Sequence, residues 1–356
     1  MNNALRKPAG LLLLGVLLAY PGGGGAAAAP GAEPAAGGGG AGQVVVDDAT
    51  AGLIDGALRY LASKQAPSGG WSADEHPIAI TSFALMAFLA SGHVPDEGPY
   101  GRAVASGVQF VADSLQPDGL YFPPTQSQYM YGHGIATVVL SEAYGHTRSP
   151  RLREKLGKAV DVIVRSQNSL GGWRYSPGEA SADISVTVLQ AVALRAAQGA
   201  GLAVPKQTIE RAVTYVQRCF DKPAGGFAYM AGQKGPAFAR TAAAIYSLQV
   251  CGRYDDDLIA PGVKYLLANR DTRDWYTYGN FYAAPALYMV GGDVWRDWYP
   301  HIQGALAGAA VREGDTVHWE LTMDREPHQG VSRLYCTAVY AAMLAVPYNY
   351  IPLWQR

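Results

Sequence analysis

The sequence predicts an all-α fold in which about six helical hairpins close into a ring. Similar units recur along the chain with a period near 50 residues, and self-similarity at a fixed period is typical of a repeat array. In each unit an amphipathic helix is followed by a second, apolar helix. An open array needs polar capping units, and neither terminal unit is unusually polar. We therefore expect an α/α toroid, with an open solenoid of the same hairpins as the alternative.

The third unit shows the repeat most clearly, in the sequence LGGWRYSPGEASADISVTVLQAVALRAA. Gly171 and Gly172 allow a tight turn, and Trp173 brings a large flat ring with one N–H donor. The helix from Ile184 onward is apolar on nearly every side, which is typical of a buried helix. The apolar helices are therefore expected to form an inner barrel and the amphipathic helices an outer ring.

The other units follow the same plan. The amphipathic helices are predicted at residues 53–64, 104–115, 152–166, 209–220, 258–268 and 295–311. The apolar helices are predicted at residues 80–90, 135–144, 184 onward, 240–250, 282–290 and 335–344. A threonine lies near the start of the apolar helix in five units, at Thr81, Thr137, Thr187, Thr241 and Thr337.

Composition excludes some partners and some stabilising devices. The 356 residues carry a net charge of −1 with 16% charged residues, fewer than the usual share of roughly 25%. The absence of a basic stripe argues against nucleic acid as a partner, and we expect a monomer. The three cysteines do not form a disulfide framework. Cys219 and Cys251 close consecutive antiparallel helices, so they are expected to lie too far apart to pair.

The N-terminal residues resemble an export signal. Arg6 and Lys7 precede an apolar run from Leu11 and a small-residue stretch ending at Ala29, which is the pattern of a cleavable signal peptide. The apolar run is too short to span a membrane. We expect a signal peptide at 1–29, a flexible Gly/Ala/Pro-rich linker at 30–50 and the toroid at 51–356. The alternative is a cytosolic protein with a disordered N-terminal tail.

The segments QAPSGGW, ending at Trp71, and QNSLGGW, ending at Trp173, resemble the QW-type repeats of the squalene cyclase and protein prenyltransferase superfamily. The strings YGHGIATVVLSEAYG, YTYGNFYAAPALYMVGGDVWRDWY and YNYIPLW look like the exported prenyltransferase/squalene oxidase repeat proteins of bacteria. The resemblance covers nearly all of the chain from Gly52 onward. It implies the toroid fold more directly than it implies a reaction.

The catalytic motifs that the resemblance implies are absent or incomplete. Where squalene–hopene cyclases carry Asp-x-Asp-Asp, this chain has Ser181-Ala182-Asp183-Ile184, and a lone Asp183 there reads more simply as a helix cap. The Asp-x-Cys zinc pair of prenyltransferases is missing, and Cys336 stands where their zinc-binding histidine would be. His328 and Cys336 alone do not make a zinc site. The Gly-Cys-Gly-Glu-Gln thioester of complement-like toroids is also missing, and we predict no metal and no cofactor.

The residues that lead into the inner helices are expected to meet at one end of the barrel. His133 and Asp183 are the candidate acid–base pair, or alternatively a hydrogen bond between neighbouring hairpins. The predicted ligand-binding rim consists of His76, Tyr129, Tyr131, Trp173, Tyr175, Arg240, Trp275, Tyr278, Tyr282, Trp319, Arg333 and Tyr335. The Trp and Phe residues of the Gly-Gly-aromatic turns are also explained by packing between hairpins.

Three functions are consistent with this sequence. The first is a binding protein that takes a hydrophobic, peptide or saccharide ligand or partner at the mouth of the toroid without the known catalytic motifs. The second is a terpenoid cyclase or prenyltransferase-type enzyme, since aromatic walls stabilise cations. The third is a polysaccharide lyase or hydrolase, although no pair of carboxylates suited to hydrolysis is evident.

Overall fold

The computed structural model describes residues 45–72, 76–121, 129–325 and 332–355. Within these ranges the chain forms twelve α-helices and two short antiparallel hairpins. The helices are α1 (Asp48–Ser63), α2 (Pro77–Ala90), α3 (Gly101–Asp113), α4 (Tyr129–Thr147), α5 (Pro150–Ser166), α6 (Ile184–Gly199), α7 (Lys206–Arg218), α8 (Phe238–Val250), α9 (Ile259–Ala268), α10 (Tyr276–Val290), α11 (Gly292–Ala309) and α12 (Arg333–Leu344). The strands are β1 (Phe220–Asp221), β2 (Gly226–Phe227), β3 (Val311–Glu313) and β4 (Thr316–His318).

The even-numbered helices form a closed inner ring. Each packs against the next, from α2 through α4, α6, α8 and α10 to α12, and α12 packs against α2. The odd-numbered helices lie outside them, and α1 covers the seam by packing against α12, α11 and α2. The predicted toroid is confirmed, and the open solenoid is excluded.

The two kinds of helix bury their residues as the sequence pattern predicts. Outer helix α7 buries one stripe that includes Ile209, Val213 and Val216, whereas inner helix α6 buries residues on all sides, from Ile184 to Ala197. None of the helices in the described residues combines the length and the apolar character needed to cross a membrane.

The Gly-Gly-Trp turns join the two helices of a repeat. The backbone N–H of Trp173 donates to Oγ1 of Thr187 at 3.0 Å, and the Trp173 indole donates to the carbonyl of Ile163 at 2.8 Å. Inner helix α6 is thereby tied through the indole to the end of outer helix α5. Gly171 adopts φ +92° beside the carbonyl of Arg211, so glycine is required there.

The same joint recurs around the ring. Trp71 donates to Thr81 and Leu61 at 2.8 and 2.7 Å, and Trp319 donates to Thr337 and Leu306 at 3.2 and 2.8 Å. Thr81, Thr187 and Thr337 therefore each accept a hydrogen bond from the turn in front of their own helix.

Aromatic side chains meet inside the inner barrel. Phe83 of α2 meets Phe281 of α10 at a ring-centroid distance of 5.2 Å and Tyr335 of α12 at 4.9 Å. Tyr282 of α10 lies 6.0 Å from Tyr246 of α8. Since α2 and α10 are not neighbours in the ring, the Phe83–Phe281 contact reaches past α12 through the interior.

Some boundaries differ from the predicted ones. α1 begins at Asp48, so helix starts within the segment assigned to the linker. α4 begins at Tyr129 and α10 at Tyr276, each about six residues before the predicted apolar run. Cys219 and Cys251 close α7 and α8 and are free thiols, as expected.

Candidate functional site at the mouth of the barrel

The mouth is the end of the barrel at which the inner helices begin, and Asp183 lies there, immediately before α6. Oδ1 of Asp183 accepts the backbone N–H of Val186 at 3.0 Å, so this carboxylate caps α6. Among the described residues no hydrogen bond of ordinary geometry reaches Oδ2, and the whole side chain is inaccessible to solvent. Burial raises the pKa of Asp183, and the Val186 N–H opposes that rise. The capping interpretation is confirmed.

Four tyrosines surround this carboxylate, and we call them the tyrosine cluster: Tyr131, Tyr175, Tyr229 and Tyr278. The hydroxyls of Tyr175 and Tyr229 are 2.5 Å apart, and the rings of Tyr131 and Tyr175 are 6.2 Å apart. All four are half-buried. The negative charge of Asp183 adds to the burial that raises the pKa of Tyr131, Tyr229 and Tyr278.

Two arginines pack against rings of the tyrosine cluster. The guanidinium of Arg174 lies 5.1 Å from the ring centre of Tyr175, and that of Arg240 lies 5.9 Å from the ring centre of Tyr229. Arg174 also approaches Glu179 at 3.9 Å. Partial burial lowers the pKa of Arg240. These cation–π contacts hold the rings of Tyr175 and Tyr229 in place.

The rest of the predicted rim that reaches the mouth comes from α10 and α12. Trp275, 50% exposed, precedes α10 with φ 53°, and its ring lies 6.3 Å from that of Tyr278. Tyr282 lies one turn below Tyr278, at 5.1 Å. Tyr335 of α12 lies close enough to Tyr278 and Tyr282 to contribute to the raised pKa of both hydroxyls. The structure therefore brings together Asp183, Tyr131, Tyr175, Arg240, Trp275, Tyr278, Tyr282 and Tyr335.

His133 does not pair with Asp183, so the predicted acid–base pair and its hydrogen-bonded alternative are both wrong. The ring of His133 is fully buried between α4 and α5, where Nε2 meets the carbonyl of Ala159 at 3.0 Å and the ring packs on Tyr121. Burial lowers the pKa of His133 to about 4. It is therefore a neutral packing residue of one hairpin.

Two other rim predictions are also wrong. Trp173 and Trp319 are buried in the joints described above and do not face the mouth. Their side chains serve the packing of the hairpins. Arg333, the first residue of α12, is exposed and pairs with Glu320 at 2.5 Å, and its place in the rim stays a prediction.

The structure shows no binding or catalytic role for the remaining predicted residues. His76 precedes α2 and makes no capping hydrogen bond to it. The side chain of Tyr129 and the whole of His328 lie outside the described residues. Cys336 is fully buried below Thr277, and burial raises the pKa of its thiol to about 12. The described residues contain no cluster of three potential metal ligands.

Sequence reasoning missed Tyr229 and Glu142. Tyr229 follows Gly226-Phe227 at the position that Tyr175 occupies after Gly172-Trp173, so the repeat alignment itself could have identified it. Glu142 is the only carboxylate among the apolar residues of inner helix α4. That anomaly in an otherwise apolar helix was the available signal.

No protein-family model and no curated protein matches the sequence. Among solved structures, cellobiose 2-epimerase from Spirochaeta thermophila is similar with a TM-score of 0.62 and 13% identity, over 85% of this chain and 96% of the epimerase. An inactive variant of the α-1,6-mannanase GH76A from Salegentibacter, in complex with α-1,6-mannotriose, is similar with a TM-score of 0.63 and 6% identity, over 84% of this chain and 99% of the mannanase.

The type II terpene cyclase MstE from Scytonema is also similar, with a TM-score of 0.55 and 13% identity, over 85% of this chain and 100% of the cyclase. The resemblance to terpenoid cyclases seen in the sequence is therefore supported at the level of the α/α-toroid fold. At these identities the likeness establishes the fold alone.

Proposed function

We propose that this protein binds a ligand at the mouth of its toroid, through the tyrosine cluster. The observation that carries the proposal is the convergence of four half-buried tyrosines from separate elements over Asp183. Aromatic side chains of the inner helices continue below the cluster. A ligand would therefore meet aromatic faces at the mouth and in the interior next to it.

The chemistry of the cluster limits the class of ligand. Tyrosine offers a flat apolar face and a polar tip, and Tyr175 and Tyr229 present their hydroxyls side by side. A ligand with flat apolar faces and hydroxyl or carbonyl groups suits such a surface. Saccharides fit this description, and so do isoprenoid chains that carry a polar head.

The similar structures suggest which compounds to test. Their names and ligands include cellobiose, α-1,6-mannotriose and geranylgeranyl dihydroxybenzoate. We would titrate the purified protein with cellobiose, mannotriose and geranylgeraniol by isothermal titration calorimetry. Binding of one class and not the other would name the ligand. Binding of none at millimolar concentration would contradict the proposal.

The matched variants are Tyr175→Ala and Tyr350→Ala. Tyr175 belongs to the cluster, and we expect its loss to weaken binding by about tenfold or more, since burial of one large apolar side chain contributes about 1.5–3 kcal/mol. Tyr350 is a 40% exposed tyrosine of the C-terminal segment, outside the cluster, and its loss should leave the affinity unchanged. Equal effects of the two variants would place the binding site elsewhere.

A second candidate function is acid-catalysed cyclisation of an isoprenoid, and Asp183 is the reason to keep it. Its buried carboxyl has a raised pKa and faces aromatic rings, which suits an acid that protonates an alkene and a wall that stabilises the cation. Gas chromatography with mass spectrometry would detect an isomer of unchanged mass after incubation with squalene or geranylgeraniol. Asp183→Asn keeps an acceptor for the Val186 N–H and removes the acidic proton, so it should abolish product formation.

We also propose that the chain is exported, on the strength of the signal-like residues 1–29. Expression of the full chain in a bacterial host, followed by N-terminal sequencing of the periplasmic protein, tests this proposal. Cleavage near Ala29 is expected. Retention of an intact N-terminus in the cytosol would support a tail instead of a signal.

A further inference from the structure

Arg240 is a half-buried cation at the mouth, and none of the described carboxylates pairs with it. Its guanidinium lies 5.9 Å from the ring centre of Tyr229 and donates to the carbonyl of Gly235 at 3.3 Å. A guanidinium has five N–H donors in a fixed fork. Most of the donors of Arg240 therefore meet no acceptor within the described part of the chain.

The ionisable groups nearest to Arg240 do not offset its charge. They are the phenols of Tyr229 and Tyr265, and burial raises the pKa of both, so they are neutral at ordinary pH. A cation that is partly removed from water needs a partner. The described residues around Arg240 leave its charge without one.

Arg174, the other arginine of the mouth, is compensated. It approaches the carboxylate of Glu179 at 3.9 Å and lies 3.4 Å from the hydroxyl of Ser181. Its charge also reaches Asp183, where it opposes the burial that raises the pKa of that carboxyl. Two carboxyl groups thus lie beside Arg174, whereas no described carboxyl group lies beside Arg240. The excess positive charge is therefore on the α8 side of the tyrosine cluster.

The first turn of α8, to which Arg240 belongs, adds to this positive field. The helix has no side-chain cap, and no acceptor among the described residues reaches the N–H groups of Phe238 and Ala239. In contrast, the N–H of Ile184 at the start of α6 donates to the carbonyl of Tyr229 at 2.9 Å. Free N–H groups at the start of a helix carry partial positive charge. The helix and the side chain of Arg240 therefore both favour an anion at the same place.

We propose that the ligand carries a carboxylate and that Arg240 binds it, a proposal that rests on the binding site proposed above. The rest of the ligand would then lie on the rings of the tyrosine cluster. A guanidinium donates two parallel hydrogen bonds to one carboxylate, so a singly charged anion would neutralise Arg240. A diphosphate carries several negative charges and would leave most of them without a partner.

Pairs of compounds that differ by oxidation of one CH2OH group to a carboxylate test the proposal. The pairs are cellobiose with cellobiouronic acid, and geranylgeraniol with geranylgeranoic acid, and geranylgeranyl diphosphate provides a third arm. Isothermal titration calorimetry at pH 7, at low and high salt, measures the affinities. We expect the acid of one pair to bind about tenfold more tightly than its neutral partner, or more, because hydrogen bonds to charged groups are the stronger ones. Salt should reduce that preference.

The variants separate Arg240 from the overall charge of the protein. Arg240→Gln removes the charge, so the preference for the acid should disappear, and Arg240→Lys keeps the charge without the fork and should retain part of the preference. Arg153→Gln removes the same charge from an exposed position near the start of outer helix α5 and should retain the full preference. Thermal unfolding of each variant checks that it is folded.

Each contrary outcome has a distinct meaning. If a neutral compound binds and its acid binds no more tightly, this inference is overturned and the proposed binding site stands. If no compound binds at millimolar concentration, both are overturned. Tighter binding of the diphosphate than of either acid would overturn the assignment to a carboxylate. A preference that survives in Arg240→Gln, or that is lost in Arg153→Gln, would overturn the role of Arg240.

Discussion

The two ends of the barrel each bury one carboxyl group, and the groups differ in what lies beside them. Asp183 at the mouth receives a backbone N–H from the first turn of α6. Glu142 lies five residues before the end of α4, towards the end of the barrel opposite the mouth, and no described residue donates a hydrogen bond to it. Burial raises the pKa of both groups, but only the Asp183 carboxylate has a hydrogen-bond donor that counteracts the rise.

The comparison shows how a toroid divides polar chemistry between its ends. All inner helices run in one direction, so their free N–H groups gather at the mouth and their free carbonyls at the other end. A carboxylate is therefore tolerated at the mouth, whereas the opposite end favours the neutral acid. The following predictions test this difference.

The largest expected effect is on the joint that fixes the mouth end of α6. Trp173→Ala removes a fully buried indole and its hydrogen bond to Ile163, so the free energy of unfolding should fall by about 3–5 kcal/mol. Urea denaturation at pH 7 measures it. Trp275→Ala, at a tryptophan that is 50% exposed, should cost less than about 1 kcal/mol. If the two variants lose similar amounts of unfolding free energy, the buried Trp173 joint stabilises the fold no more than an exposed tryptophan does.

The next effect concerns Glu142 and the pH dependence of stability. Because the folded protein holds the proton of Glu142 up to about pH 8, stability conferred by this group is present at low pH and is lost as pH rises from about 4.5 to 8. The wild type should lose about 4 kcal/mol relative to Glu142→Gln between pH 5 and 8. Urea denaturation at both pH values measures the difference. Glu97→Gln, at an exposed glutamate, should show no such trend.

A smaller effect is expected from the threonine that accepts the Trp173 N–H. Thr187→Val keeps the shape of the side chain but leaves a buried donor unsatisfied, so the free energy of unfolding should fall by about 1–3 kcal/mol. Thr214→Val, on the exposed face of α7, provides the matched control and should change stability by less than about 0.5 kcal/mol. An unaffected Thr187→Val protein would show that the turn is held without this bond.

The smallest expected effect is on the helix cap that the Asp183 side chain provides for α6. Asp183→Asn retains the cap on α6, whereas Asp183→Ala removes it, so the alanine variant should be less stable than the asparagine variant by about 1 kcal/mol. Chemical denaturation of both variants in parallel measures this difference. If the two are equally stable, the Val186 hydrogen bond does not stabilise α6.

The ring itself could be predicted because its cause lies in local sequence. The period of the units predicts the number of hairpins. Helices that are apolar on one face are predicted to form the outer ring, and helices that are apolar on all sides the inner ring. The repeated threonines lie where the Gly-Gly-aromatic turns bind the inner helices. The starts of α4 and α10 were missed because their first turns are satisfied from distant repeats. The N–H of Thr277 meets the carboxylate of Asp324, and that of Met130 donates to the carbonyl of Tyr175.

The site was predicted only in part, for a related reason. Asp183 and Tyr175 follow from position in the repeat, and so does Tyr229 when the units are aligned. The side chain of His133 could not be assigned to the mouth or to a hairpin, because α4 is apolar on nearly every side and has no polar face to orient it. Only the packing of α4 on α5 decides that the ring meets the carbonyl of Ala159.

Closure of α12 on α2 also fixes how many units the molecule contains. An open array gains or loses a repeat at little cost, since each unit contacts only its neighbours. Here an extra hairpin would have to be inserted between surfaces that already fit, and it would widen the circle and separate the aromatic rings that meet at its axis. Sequence change in this protein is therefore expected to lengthen the connections between helices and to leave the number of hairpins unchanged.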